Sequence, residues 1–114
     1  MSDALPSWLE QAAALRGLIA CGFRRADRSL AAKSNSKEFP AEQMEQTIRK
    51  LFEAVYALQQ NQIPTERVRW SFETTQLHCA ARPGGVMAVL LVNKETASLA
   101  EIERVLNEAP LAPT

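Results

Sequence analysis

The sequence has little of the chemistry that most catalytic and metal-binding sites require. Its 114 residues contain one histidine, His78, and two cysteines, Cys21 and Cys79, whereas a closed zinc site takes four such ligands. We find no pattern of a catalytic triad and no glycine-rich phosphate-binding motif. His78 and Cys79 are neighbours in a strand-like segment, so their side chains should point to opposite faces. We therefore predict a protein that is not an enzyme and that binds no metal and no cofactor.

The sequence also lacks an excess of either charge and any long apolar run. Thirteen basic residues balance thirteen acidic ones, whereas nucleic-acid and membrane-surface binders usually carry a clear positive excess. The longest apolar run, seven residues at 86–92, is far shorter than the roughly 20 residues that span a bilayer. No basic segment followed by an apolar stretch opens the chain, so we expect no secretory signal and a cytoplasmic protein. In that reducing compartment the cysteines should be buried free thiols, the alternatives being a disulfide or a redox pair.

Hydrophobic periodicity predicts three helices and five strands. Apolar residues repeat at helical spacing in three segments, and the strand-like segments are short apolar runs or strict alternations. Ser7 and Ser98 each precede a glutamate by three residues, which is the spacing of a helix capping box. The predicted helices cover about 6–15, 40–60 and 98 to near 110, and the predicted strands cover 18–23, 29–33, 67–73, 76–82 and 86–92.

The burial pattern of the strands predicts their order in one sheet. The segments 18–23 and 86–92 are apolar on both alternating faces, so they should lie side by side in the middle. The strand-to-strand connections are short, which makes the hairpins antiparallel. The prediction is an α+β fold, αββαβββα, with a five-stranded antiparallel sheet in the order 2-1-5-4-3. One long helix covers one face and the terminal helices share the other, in a single domain at 1–114 with an ordered core at about 5–109.

A two-residue turn at 74–75 sets the expected register of the hairpin between the third and fourth strands. That turn pairs Phe72 with Leu77, Trp70 with Cys79, and Val68 with Ala81. It also places Arg67 opposite Arg82, a like-charge pair that is unfavourable unless an acid neutralises it. We interpret this pair as a sign of either a binding partner or an error in the register. His78 should lie on the other face of its strand as a half-exposed surface residue.

This order of elements resembles the roadblock/dynein light chain family, in the form of a bacterial roadblock-like domain. The resemblance covers nearly everything from 5 to 109. It rests on the element order, the apolar strand at 18–23, the long helix at 40–60, and the terminal hairpin through Pro83-Gly84-Gly85. Many members carry an Asp-Gly type turn between the first two strands, where this chain has Ala26-Asp27-Arg28.

The resemblance implies a homodimer in which two copies pair their third strands edge to edge and pack their long helices together. It also implies a non-enzymatic scaffold or regulator whose partner is a small Ras-like GTPase, or a complex involved in polarity, motility or signalling. Five residues suit such an interface independently, because aromatic residues on an unprotected edge or beyond a helix's core stripe are typical of interfaces. They are Phe52, Tyr56, Val68, Trp70 and Phe72. The alternative is that the four aromatic side chains among them fill the core of one protomer.

Charge along the chain suggests a second surface. The stretch 16–37 holds six basic residues and one acid, which favours either a docking face for an acidic partner or protection of a sheet edge by charge. The candidate patch is Arg24, Arg25, Arg28, Lys33, Arg67 and Arg69. The alternative function is a ligand-sensing or chaperone-like binding module of profilin- or longin-like layout, which a pocket between the long helix and the sheet near Gly22 would support.

Overall fold

The computed structural model describes residues 4–111 and has the predicted order of elements. The outermost residues of the predicted 1–114 domain, 1–3 and 112–114, lie outside this range. The elements are α1 (Leu5–Ala13), β1 (Leu18–Arg24), β2 (Leu30–Ser34), α2 (Ala41–Gln60), β3 (Val68–Ser71), β4 (Thr75–Arg82), β5 (Val86–Asn93) and α3 (Leu99–Asn107).

The strands form one antiparallel sheet in the order β2-β1-β5-β4-β3, so the predicted fold class is confirmed. Strands β1 and β5 are central, as their apolar residues on both faces predicted, and β5 is buried from Val86 to Val92. Strands β2 and β3 form the two edges. Pro83 begins the β4–β5 turn, in which Gly84 and Gly85 both take the left-handed conformation.

The terminal helices cover one face of the sheet. Trp8 of α1 is 3% exposed, and its indole Nε1–H donates a hydrogen bond of 2.8 Å to the carbonyl oxygen of Val105 in α3. The edge of the Trp8 ring also meets Phe23 of β1, with 6.0 Å between ring centroids. One buried tryptophan therefore joins α1, α3 and β1 into a single core, which we call the α1/α3 layer.

Helix α2 packs on the opposite face, chiefly over β1 and β2. Met44, Ile48 and Val55 form its buried stripe. A Cβ atom at Gly22 would lie 2.3 Å from Cδ1 of Ile48, so the glycine allows the helix to approach the sheet closely. The side chain of Ile48 thus fills the space next to Gly22.

The predicted register of the β3–β4 hairpin is wrong by two residues. Val68 pairs with Cys79 and Trp70 with Leu77, because the turn is at Glu73 and Thr74 and the Phe72 N–H donates to the Thr75 carbonyl oxygen at 2.9 Å. A shift of two keeps every side chain on its predicted face, so the alternation alone could not detect the error.

The like-charge pair that followed from the wrong register does not form. Arg67 makes an ion pair with Glu103 of α3 at 3.5 Å and also donates to the side chain of Asn107. The Arg82 guanidinium donates to backbone carbonyl oxygens, including that of Ala81 at 2.9 Å. The pair predicted from sequence was therefore a register error and carries no information about a partner.

The prediction of a half-exposed His78 is also wrong. His78 is 3% exposed, because it lies on the face of β4 that the α1/α3 layer covers. Its Nε2 atom is 3.2 Å from Oε1 of Gln76. Burial and then the charge of Arg69 lower the pKa of His78, while Glu103 of α3 opposes this effect.

Candidate protein-interaction surfaces

Within residues 4–111, no further strand pairs with the outer edge of β3. Because the Phe72 N–H bonds to Thr75, the residues Val68 and Trp70 also direct their N–H and C=O groups towards β4. The alternate residues, Arg69 and Ser71, therefore direct theirs outwards, away from the sheet. Such an edge is a template for a further strand unless proline, an inward charge or a covering element blocks it.

The side chains along this edge form an apolar row on the α2 side of the sheet. Trp70 is partly buried and packs against the α2-side core, whereas Phe72 is 52% exposed. Val68 is partly buried beside them on the same face. Trp70 thus fills part of the protomer core, and Phe72 stands largely outside it.

Phe52 and Tyr56 lie elsewhere, beside an open groove at the other end of the sheet. The groove has a volume of ≈ 730 Å³ and runs between the C-terminal half of α2, the α2–β3 loop and the turns of the β1–β2 and β4–β5 hairpins. We call it the hairpin groove. Its principal lining residues are Arg24, Arg28, Phe52, Tyr56, Ile63 and Gly85.

The five predicted interface residues do not form one continuous patch. Thr47 lines a second groove, of ≈ 510 Å³, together with Phe72, Phe39, Leu77 and Leu91. Tyr56 follows Thr47 by nine residues, or two and a half helical turns, so the two side chains leave α2 in opposite directions. The sequence therefore grouped residues that belong to two surfaces, one beside β3 and one at the hairpin groove.

Arg24 connects the elements that build the hairpin groove. Its guanidinium carbon lies 3.7 Å from the centroid of the Phe52 ring, and its Nη1 donates to the carbonyl oxygen of Gly85 at 2.8 Å. Burial, and then the neighbouring charge of Arg28, lower the pKa of Arg24. A Cβ atom at Gly85 would lie 2.3 Å from Arg24 Nη1, so this contact requires glycine in the turn.

The residues of the predicted basic patch are divided between the β1–β2 side of the sheet and its β3 edge. Arg24, Arg25 and Arg28 lie at the β1–β2 hairpin, and Lys33 lies on β2 opposite Cys21. The remaining two members, Arg67 and Arg69, lie at the β3 edge on the α3 side. One cationic face of six residues is therefore not present, and the part at the hairpin groove is the part next to exposed apolar side chains.

Sequence reasoning missed Ile63 and Pro64 as lining residues of the hairpin groove. Ile63 is 48% exposed and lies just beyond the end of α2. An isoleucine that belongs to no element and precedes proline was the available signal, because such a residue has no core position assigned to it.

Two features are absent from residues 4–111, a cluster of metal-ligating side chains and a helix that could span a membrane. The described residues contain no cluster of three or more His, Cys, Asp or Glu side chains that could hold a metal ion. In the same range, no helix combines the length and the apolar character needed to cross a membrane. Cys21 and Cys79 are free and buried, as predicted.

Comparison with known proteins identifies the fold. No protein-family model matches the chain, and no curated protein matches its sequence. Among solved structures, the chain is similar to the crystal structure of a Roadblock/LC7 domain from Streptomyces avermitilis, with a TM-score of 0.61 and 12% sequence identity. The match covers 88% of this chain and 90% of that one. The chain therefore has a Roadblock/LC7-like fold.

Proposed function

We propose that this protein is a non-enzymatic interaction module that works as a homodimer, joined through the β3 edges of two copies. The observation that carries the proposal is the unprotected edge, where Arg69 and Ser71 direct their backbone groups outwards beside the partly exposed Trp70 and Phe72. Pairing two such edges satisfies the backbone groups and buries the aromatic row at the same time.

The sequence of β3 favours one register for this pairing. An antiparallel contact centred on Trp70 sets Trp70 against Trp70 of the partner subunit, and Arg69 against Ser71 of the partner subunit. The outward backbone groups of Arg69 and Ser71 then hydrogen-bond across the contact. Val68 meets Phe72 of the partner subunit on the apolar face. A contact centred on Arg69 would instead oppose two like charges, which is unfavourable. Phe52 and Tyr56 are assigned to the hairpin groove and not to this contact.

The Ser71→Pro variant tests the homodimer. Proline removes one outward N–H and leaves the bonds between β3 and β4 in place, so the variant should fold and be monomeric. Ser71→Ala is the matched control, because it keeps the N–H and should remain dimeric. Size-exclusion chromatography with light scattering at tens of micromolar measures both. A monomeric parent protein, or a dimeric Ser71→Pro variant, would overturn the proposal.

Disulfide trapping tests the register. In the proposed contact the two Trp70 Cα atoms form a non-hydrogen-bonded pair about 4.5 Å apart, which a disulfide can bridge. Trp70→Cys should therefore give a covalent dimer on oxidation, whereas Ser71→Cys should not, since its copies are offset along the strands. The native cysteines are buried and should not react. A covalent dimer with Ser71→Cys alone would move the centre of the contact to residue 71.

We further propose that the dimer binds an acidic partner through the basic residues at the β1–β2 hairpin, and the resemblance to roadblock proteins suggests a small Ras-like GTPase. Any effect on nucleotide hydrolysis would then come from positioning groups of the GTPase itself. The free thiols suit a reducing compartment such as the cytoplasm.

A further inference from the structure

We propose that the hairpin groove binds an extended acidic segment of the partner protein, with an acidic side chain at Arg28 and an apolar side chain between Tyr56 and Ile63. This inference rests on the proposed role in protein interaction and does not depend on the homodimer. It names the kind of element that the partner contributes, a segment of chain and not a folded surface.

The apolar part of the groove is the first reason. Four large apolar side chains are exposed in residues 4–111, and two of them, Tyr56 at 52% and Ile63 at 48%, line this groove. Phe52 and Pro64 lie in the same lining. Exposed apolar side chains that cluster in a concave surface mark a binding site more often than scattered ones do.

The charge at one end of the groove determines the chemistry of the occupant. Arg28 is exposed, and the single acid in the hairpin turn, Asp27, is already engaged by Ser29. The Asp27 carboxylate accepts from the Ser29 backbone N–H at 2.9 Å and from its hydroxyl at 2.6 Å, and these bonds lower the pKa of Asp27. Arg24 adds a second cation held in place over Phe52. The hairpin end of the groove is therefore complementary to a carboxylate.

A carboxylate in the lining restricts where an acidic side chain of the occupant can lie. Glu66 lines the groove from the α2–β3 loop, whereas Arg24 and Arg28 line it from β1 and the β1–β2 turn. An acidic side chain would be repelled by Glu66 and attracted at Arg28. The segment should consequently place its acidic residue at the hairpin end and its apolar residue towards Ile63.

Turn residues and hydrogen bonds shape the walls of the groove. Residues with positive φ line it at four points, namely Arg28, Gln62, Gly84 and Gly85. At the end of α2, the Ile63 N–H donates to the Leu58 carbonyl oxygen at 2.9 Å, and the Gln59 side chain donates to the Thr65 hydroxyl at 3.0 Å. A wall that is already ordered costs little entropy when a ligand binds.

The openness and the lining of the groove suit an extended chain. Its volume of ≈ 730 Å³ falls within the usual range of binding clefts, about 300–1,000 Å³. It is open to solvent, and Gln60 and Gln62 are among its lining residues. Amides can both donate to and accept from the backbone of an extended segment.

Selection from a phage-displayed library of random peptides against the full chain tests the inference. We expect the selected peptides to share an acidic residue near an aromatic or aliphatic one. Fluorescence polarisation with the best labelled peptide should show at least about fivefold weaker binding to Arg28→Asn and about tenfold weaker binding to Tyr56→Ala. Asparagine is chosen because it tolerates the left-handed conformation of residue 28.

Matched variants separate the proposed contacts from general damage. Arg28→Lys keeps the charge and should bind within about twofold of the parent protein. Leu99→Ala removes a side chain that is 53% exposed on α3, outside the groove, and should not change the affinity. Ser71→Pro should bind the peptide as the parent does, so a failure of the homodimer leaves this test intact.

Three results would overturn the inference. One is a selection that yields no acidic peptides although the parent protein is folded. Another is an affinity that Arg28→Asn and Tyr56→Ala leave unchanged. The third is assembly of the chain beyond a dimer that Arg28→Asn abolishes, because the occupant would then be a second copy of this protein. In each case the oligomeric state of Ser71→Pro still decides the homodimer independently.

Discussion

The two helical layers cover the sheet to different extents. On the α1/α3 side, Trp8 and even the polar His78 are 3% exposed. On the α2 side, the helix packs chiefly over β1 and β2, Trp70 is only partly buried, and Phe72 is 52% exposed. The hairpin groove and the apolar groove beside Phe72 are both lined by α2. The α1/α3 layer thus buries its side chains more completely, and the incompletely covered α2 side leaves the candidate interaction surfaces exposed.

The largest expected effect comes from removing the buried ring of Trp8 from the α1/α3 layer. Trp8→Ala removes a buried ring and leaves the Val105 carbonyl oxygen without its indole donor. We expect the free energy of unfolding to fall by about 3–5 kcal/mol. Chemical denaturation measures this change. A loss below about 1 kcal/mol would contradict the joining role that the structure gives to Trp8.

A tryptophan-to-alanine substitution on the α2 side of the sheet should have a smaller effect on the stability of the protomer. Trp70→Ala should lower the free energy of unfolding by roughly 1–2 kcal/mol, because part of the ring is already exposed. In the proposed dimer it should also weaken the association and so reduce the dependence of the melting temperature on protein concentration. Calorimetry at two concentrations measures this, and an equal loss for Trp8→Ala and Trp70→Ala would remove the contrast between the layers.

Acidification should lower the free energy of unfolding through His78, which lies under the α1/α3 layer. Arg69 of β3 and Glu103 of α3 face this histidine, Gln76 contacts it, and Arg67 lines the same cleft. Its pKa is lowered in the folded state, so the unfolded chain binds the proton first as the pH falls through about 6.5. The unfolded state then holds more protons, and stability decreases on acidification.

The His78→Asn variant isolates this contribution. Its loss of stability between about pH 7.5 and about pH 5.5 should be smaller than that of the parent protein, since the carboxylates contribute equally to both. Denaturation curves at the two pH values provide the comparison. An identical loss in both proteins would show that His78 does not titrate differently on folding.

The smallest expected effect concerns the backbone beside the hairpin groove. Gln62 has a φ of 60° at the end of α2, a conformation that favours glycine. Gln62→Gly should raise the free energy of unfolding by at most about 1 kcal/mol, because relief of strain is partly offset by the greater freedom of the unfolded chain. Thermal denaturation measures it, and a destabilised variant would show that the glutamine side chain stabilises the loop.

Local patterns in the sequence were sufficient for the architecture. The two strands that are apolar on both faces indicated the centre of the sheet, and Ser98 accepts a hydrogen bond from the Glu101 N–H at 3.4 Å, as its capping-box spacing predicted. Ser7 was the wrong cap, because α1 begins at Leu5, before it. The difference is physical, since Pro6 is favourable in the first turn of a helix and allows an earlier start.

The candidate surfaces depended on contacts between distant parts of the chain. The hairpin groove brings together Arg24, Phe52 and Gly85, although no periodic pattern in the sequence connects these residues. The burial of His78 likewise depends on what covers its strand, which alternation does not reveal. The aromatic residues divide between two surfaces because Phe52 and Tyr56 line the hairpin groove, whereas Phe72 lines the groove beside Thr47 of α2.

The two buried cysteines make each layer separately observable. Cys21 lies in the α1/α3 layer and Cys79 on the α2 side, and burial raises the pKa of the first to about 11 and of the second to about 12. Both thiols should resist alkylation in the native protein, because only the thiolate reacts readily. Alkylation by a brief pulse of iodoacetamide, followed by mass spectrometry, would therefore measure the rate of local opening around each cysteine without any introduced label.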